Sequence, residues 1–221
     1  MSYFGGKGAA GVAQALINVM PPHATFISGF AGHCAVLRLK RPAARNIAID
    51  RDGDLAGFWQ DHKHVEFRAG DALDELQRFA WTGRELVYLD PPYLFETRRD
   101  PRPRYRHELT DDDHERLLDL ACRLPAMVVV SHYDAPLYRH RLASWSHHTV
   151  ASKTRRGMAT EHFWTNYPTP PTALHDARFV GRNYRERQTV KRRAERWRRR
   201  FLDMPQLERV AVLSALLSDD D

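Results

Sequence analysis

Between residues 25 and 131 the chain repeats one pattern, a short apolar run of strand length and then a segment of helical character. Residues 25–27, 46–49, 65–67, 86–89 and 127–131 read as strands, and residues 32–39, 54–62, 71–79 and 110–122 read as helices between them. Repeated strand-then-helix order buries its apolar faces when the strands lie mainly parallel in one sheet with helices on both sides. The expected fold class is therefore α/β. An earlier helix at 9–20 is stopped by Pro21-Pro22, and Thr110 with Asp113 makes a capping box for the helix that follows it. Late strands near 147–150 and 162–165 are separated by KTRRGMATE rather than by a clear helix, so they are expected to pair antiparallel at one sheet edge.

The run LVYLDPPYLF, residues 86–95, ends an apolar strand with an acid, two prolines and a tyrosine. Proline has no N–H for a sheet ladder, so Asp90 sits at a strand's carboxyl end. In open α/β sheets that edge is where ligands bind. Three more features fall there. Gly29-Phe30-Ala31-Gly32 forms the turn after the first strand, where small residues allow close backbone approach. Asp50 ends the second strand, where an acid can accept hydrogen bonds from ribose hydroxyls. Asp71 follows the third strand, within reach of an adenine amino group bound along the same edge. Either acid alone suits a helix cap or a turn; together they outline a nucleoside pocket. A dehydrogenase would also use a glycine-rich turn and an acid, but it leaves DPPY unexplained.

At 221 residues the chain has room for one main domain with an appendage. It contains no apolar run of membrane-spanning length, and MSYFGGKGAA lacks the layout of a signal peptide, so a cytoplasmic protein is expected. Cys34 and Cys122 are far apart without a C-x-x-C pattern and are expected to be reduced thiols. The histidines are scattered, and neighbours His147 and His148 would face opposite sides of a strand, so no metal site is expected.

The net charge of +6 is concentrated in one place. Residues 178–200 hold 11 Lys and Arg against 2 acids, +9, which leaves −3 for the remainder. Such asymmetry points to a polyanion partner, nucleic acid first and an anionic membrane surface second. Residues 183–201 are helix-prone, with Val190, Trp197 and Phe201 on one side and arginines over most of the rest. Pro205 then starts a second helix whose Leu207, Val210, Leu213 and Leu217 form an apolar stripe, to be covered by the parent domain or by its copy in a homodimer.

Taken in order, Tyr3-Phe4-Gly5-Gly6-Lys7, Gly29-Phe30-Ala31-Gly32, Asp50, Asp71, DPPY and TEHFWTNY at 160–167 resemble the Dam-like N6-adenine DNA methyltransferases, especially compact phage and prophage members. The resemblance covers most of residues 1–167. It implies a Rossmann-like methyltransferase domain at 1–170; charge and helical pattern make the remainder, 171–221, a basic helical arm with a terminal amphipathic helix. It also implies S-adenosylmethionine as methyl donor and adenine in double-stranded DNA as acceptor. Tyr3, Phe4 and Lys7 then belong to the cofactor-side N-terminal motif, Phe30 and Gly32 to the methionine-side loop, Asp50 to the ribose, and Asp71 to the cofactor adenine. Asp90, Pro91, Pro92 and Tyr93 belong to the target base, with Asp90 also bordering the cofactor.

Two departures stand out. Ser28-Gly29 stands where relatives usually carry an acid and a proline, and no recognition insert separates Asp71 from Asp90. DNA contacts are therefore expected from the loop at 95–109, through Arg98, Arg99, Arg102, Arg104 and Arg106, and from the arm, through Lys191, Arg192, Arg193 and Arg196.

The chemistry explains the motif. The amino nitrogen of adenine is a poor nucleophile because its lone pair is conjugated into the ring. The Asp90 carboxylate and the Pro91 carbonyl would accept its two hydrogens and favour a more tetrahedral nitrogen, while Tyr93 would stack on a base rotated out of the duplex. Transfer is then a direct in-line displacement without an enzyme-bound intermediate. Cytosine N4, RNA or a protein glutamine nitrogen are alternative acceptors for such a site, and a catalytically silent DNA-binding protein is the alternative from another class.

Overall fold

The structure is a computed structural model that describes residues 11–98, 102–103, 105–154 and 157–218. The chain forms two compact units, Met1–Ala177 and Arg178–Asp221.

The first unit is built on seven strands: β1 (Thr25–Gly29), β2 (Arg45–Asp50), β3 (Glu66–Ala69), β4 (Glu85–Leu89), β5 (Met127–His132), β6 (Ser146–Thr154) and β7 (Gly157–Thr165). They lie in one sheet in the order β3-β2-β1-β4-β5-β7-β6. Pairing is parallel from β3 through β5, whereas β7 runs antiparallel to both β5 and β6. The expected antiparallel pair at one edge is present. Among the described residues six α-helices accompany the sheet: α1 (Val12–Ile17), α2 (Ala35–Leu39), α3 (Ala56–Gln60), α4 (Ala72–Gln77), α5 (Asp111–Arg123) and α6 (Pro136–Arg141).

Alternation along the parallel strands explains why both faces need cover. Ile27, Ile47, Ile49, Val87, Leu89, Val128 and Val130 form one core with Leu73 and Leu76 of α4 and Leu117 and Leu118 of α5. Phe26, Ala48, Leu86 and Val129, one residue out of phase, are equally buried. Side chains alternate across a strand, so these strands are apolar on both sides and read as continuous runs. The capping box at Thr110 and Asp113 is present, with each residue's side chain accepting from the other's backbone N–H. Together with the order of the strands, this gives the open, mainly parallel Rossmann-like sheet that the resemblance implies for a methyltransferase.

Strand order reverses between β1 and β4. Gly29 is in register with Ile49 of β2 and Leu89 of β4, so the carboxyl ends of all three strands lie side by side. Gly29 itself is a packing requirement, because a Cβ there would come within 2.9 Å of Leu89 Cδ2. Residues just beyond the expected domain limit of 170 remain fastened to the first unit. The His175 N–H donates to Met20 O at 2.9 Å, Asp176 Oδ2 accepts from the Arg41 N–H at 2.8 Å, and the His175 ring stacks on His23 at 3.8 Å.

The second unit contains α7 (Tyr184–Asp203) and α8 (Gln206–Leu217). Asn183 caps α7 by accepting from the Glu186 N–H at 3.0 Å. Gly181 has φ 132°, and a Cβ there would sit 2.6 Å from the Arg187 nitrogen, so only glycine fits beside the first turn of α7. Among the described residues no helix is long and apolar enough to cross a membrane. Cys34 and Cys122 are both free thiols.

Candidate active site

The turn after β1 is held in an unusual backbone conformation. Phe30 has φ 56°, which is left-handed for a residue with a Cβ, and Gly32 has φ 44°. Three hydrogen bonds hold the turn there. The Ala31 N–H donates to Ile49 O at 2.9 Å, the Gly32 N–H to Asp50 Oδ2 at 2.8 Å, and the buried Trp59 indole to Gly32 O at 3.0 Å. Asp50 accepts a further hydrogen bond, from the Asp52 N–H at 2.9 Å, on its other oxygen. A carboxylate oxygen has room for more than one donor, so Asp50 can shape the turn and still accept from a ligand.

Asp90 follows directly on β4. Phe30, Gly32, Asp50, Asp90, Pro91 and Tyr93 line one open cleft. Three segments distant in sequence therefore meet at one opening because the parallel register aligns their strand ends. Asp71 is placed differently. Its Oδ1 caps α4 by accepting from the N–H groups of Leu73 and Asp74 at 2.7 and 3.3 Å, and its Oδ2 pairs with Arg51. Partial burial works the other way, yet Arg51 and the two amides hold the Asp71 carboxyl below the usual carboxylate range. Arg51, the ion-pair partner of Asp71, lines the cleft.

The motif tyrosine is fixed from several directions. Its ring lies 4.6 Å from His132 and 4.5 Å, edge-on, from Tyr133. Its hydroxyl donates to Glu161 Oε2 at 2.9 Å and lies 3.4 Å from Asp90 Oδ1. The Leu94 N–H donates to His132 Nε2 at 2.9 Å, which makes that nitrogen an acceptor and requires Nδ1 to carry the hydrogen donated to Tyr133 O at 2.8 Å. His132 is thereby held as one neutral tautomer, and it stacks on Tyr138 at 4.0 Å.

Sequence reasoning assigned no role to His132, Tyr133 or Glu161. The signal was available for the first two, which lie at and just beyond the carboxyl end of β5 on the same ligand-binding edge. Glu161 stood within TEHFWTNY as an acid in a strand that the structure buries, and it is 7% exposed.

The loop at 95–109 divides its arginines between different tasks. Arg98, expected on DNA, has a side chain only 7% exposed. Its Nε donates to Tyr93 O, its terminal nitrogens grip Glu108, and its guanidinium lies 4.5 Å from the Phe95 ring centroid. Arg106 reaches across the cleft mouth to Asp52 and Asp54 at 2.8 and 2.5 Å. Arg102 is exposed. Arg99 and Arg104 lie outside the described residues, as do Tyr3, Phe4 and Lys7 of the N-terminal motif. On α7, Lys191, Arg192, Arg193 and Arg196 are all exposed.

No protein-family profile and no curated protein matches the chain. Several solved structures are similar to it at a distance. The N-methyltransferase NodS from Bradyrhizobium japonicum WM9 is 12% identical, with 71% of this chain and 93% of that one covered and a TM-score of 0.48. The 23S rRNA methyltransferase ErmE is 12% identical over 81% and 80% of the two chains, with a TM-score of 0.46. The precorrin-6y C5,15-methyltransferase from Geobacter metallireducens GS-15 is 13% identical over 72% and 86%, with a TM-score of 0.47. These likenesses are distant, and the assignment of the fold rests on this chain's own strand order.

Proposed function

We propose that this protein transfers a methyl group from S-adenosylmethionine to the N6 nitrogen of adenine in double-stranded DNA. The observation that carries the reading is the shared cleft, in which the DPPY motif meets the Phe30 to Gly32 turn and Asp50. The lining suits the cofactor chemically. Asp50 and Asp52 offer carboxylate oxygens to ribose hydroxyls, the strained turn offers backbone at close range, and Phe30 offers an apolar face. Bound S-adenosylmethionine supplies an electrophilic methyl group.

The chain's own residues do the rest. Asp90 and the Pro91 carbonyl accept the hydrogens of the target amino group and turn its lone pair outward. Tyr93, braced by His132 and Tyr133, offers its ring to an extruded base. Proline at 91 and 92, both buried, keeps the motif from flexing. The exposed basic side chains of α7, with Arg102 of the loop, meet phosphates. The exposed side chains of Leu207, Val210, Leu213 and Leu217 on α8 meet a second copy of the chain.

The test is to incubate the protein with tritium-labelled S-adenosylmethionine and unmethylated genomic DNA, digest to nucleosides and identify the labelled one. N6-methyldeoxyadenosine is expected, absent with Asp90→Ala. Label in N4-methylcytosine, or only in RNA offered in parallel, would replace this reading with the corresponding alternative.

A further inference from the structure

Glu161 lies on β7 between the exposed outer half of that strand and its buried end, and only 7% of it is exposed. A carboxylate in such a place is costly unless other groups satisfy it. Its Oε2 accepts from the Tyr93 hydroxyl at 2.9 Å, and the same hydroxyl oxygen lies 3.4 Å from Asp90 Oδ1. A phenol carries one hydrogen, and ionised carboxylates are acceptors only. The Tyr93 hydrogen lies with Glu161, the shorter of the two contacts, which leaves the Asp90 carboxylate an acceptor. Once Asp90 takes up a proton it can donate to the Tyr93 oxygen while Tyr93 donates to Glu161.

Adenine methylation releases one proton at this spot. Resting on the function proposed above, we infer that Asp90, Tyr93 and Glu161 form a proton relay in which Glu161 is the terminal acceptor. As the N6–carbon bond forms, the carbon–sulfur bond breaks and its electron pair stays on sulfur, which leaves N6 positively charged with two hydrogens. One N–H bond then breaks and its proton moves to Asp90. Asp90 passes a proton to the Tyr93 oxygen while Tyr93 passes its own to Glu161, so N6 has lost one proton and Glu161 has gained one for release to solvent.

The surroundings suit this path. His132 has both ring nitrogens engaged, with Leu94 and Tyr133, and so does not compete for the proton. Arg98 and His132 hold the backbone on either side of the Tyr93–Leu94 peptide, which keeps the phenol in line between the two carboxylates. Glu161 touches neither base nor cofactor in this scheme; it acts through Tyr93.

The decisive variant is Glu161→Gln, whose amide oxygen can still accept from Tyr93 and keep it in place but cannot take up the proton. Single-turnover methylation of unmethylated genomic DNA is expected to fall by roughly tenfold or more, with affinities for S-adenosylhomocysteine by calorimetry and for DNA by filter binding changed by less than about twofold. Glu161→Asp should restore part of the rate. Tyr93→Phe should lose as much as Glu161→Gln, and the double variant should lose no more than either. A full rate in Glu161→Gln overturns the relay, and so does a loss of rate accompanied by matching losses of cofactor and DNA affinity. Should Glu161→Gln fail to fold, Tyr93→Phe decides alone, and a full rate there overturns it. Wild-type protein that methylates no DNA sinks the proposed function and the relay with it, whereas active wild type beside a fully active Glu161→Gln sinks only the relay.

Discussion

Arg98 Nε donates to the carbonyl oxygen of Tyr93 at 2.6 Å while its terminal nitrogens meet Glu108 at 2.9 and 2.6 Å. One guanidinium thus ties the DPPY motif to the far end of the loop that follows it. Arg98→Ala leaves the largely buried Glu108 carboxylate without this fork and should destabilise the first unit by about 3 kcal/mol, read by urea unfolding. Arg98→Lys keeps the charge without the fork and should cost less. Its DNA affinity should keep the wild-type dependence on salt; a log–log slope shallower by about 0.9 would place Arg98 on a phosphate instead.

Asp50 and Asp71 stand at neighbouring strand ends, but their carboxylates face different work. Asp50→Ala should weaken S-adenosylhomocysteine by about tenfold or more, the scale of one hydrogen bond to a charged group. Asp71→Ala removes a helix cap and should cost about 1 kcal/mol of stability with little change in that affinity. Calorimetry and thermal unfolding on both variants separate the two roles. Equal losses of affinity would put Asp71 in the pocket.

Truncation should fall after Ala177, because His175 and Asp176 fasten to the first unit. The shortened chain is expected to bind S-adenosylhomocysteine as the full chain does and to bind DNA more weakly. Each phosphate that the arm no longer neutralises should remove about 0.9 from the salt slope. In the full chain, Val210→Asp with Leu213→Asp should turn a dimer into a folded monomer by light scattering. A wild-type chain that is already monomeric rules out the second copy.

Buried histidines make stability sensitive to acid. Burial depresses His23 from 6.5 to about 3 and His114 to about 4. Folded-state values below the unfolded one mean that the unfolded chain binds more protons in this window. Stability is therefore full above pH 6.5 and is lost as pH falls toward those lower values. Each histidine should cost roughly 2 kcal/mol between pH 7 and pH 5. Urea midpoints across that range should drop for the wild type and drop less for His23→Phe.

The architecture was legible in the sequence because a parallel strand covered on both faces has no polar side to show. Residues 46–49 and 86–89 are apolar runs for that reason, and the acids that end them, Asp50 and Asp90, mark the ligand edge directly. α6 escaped notice because six residues that bury only Tyr138 carry no helical period. The outer reaches of β6 and β7 escaped because mixed, largely polar residues such as Ser152 to Thr154 pair through backbone hydrogen bonds that side-chain pattern does not record.

Folding alone sets which of several equivalent-looking charges act together. Arg98 looked like its neighbours in an arginine-rich loop until folding brought Glu108 and the Tyr93 carbonyl to it. Asp71 looked like Asp50 until Arg51 and the first turn of α4 claimed its carboxylate. Glu161 is separated from Tyr93 by 68 residues, and their hydrogen bond exists because β7 lies antiparallel beside β5. Strand identity follows from local composition, since burial of a short run depends on its own side chains. The partner of a charged or hydroxyl group depends on which distant strand the register sets beside it, a property of the whole sheet rather than of any segment.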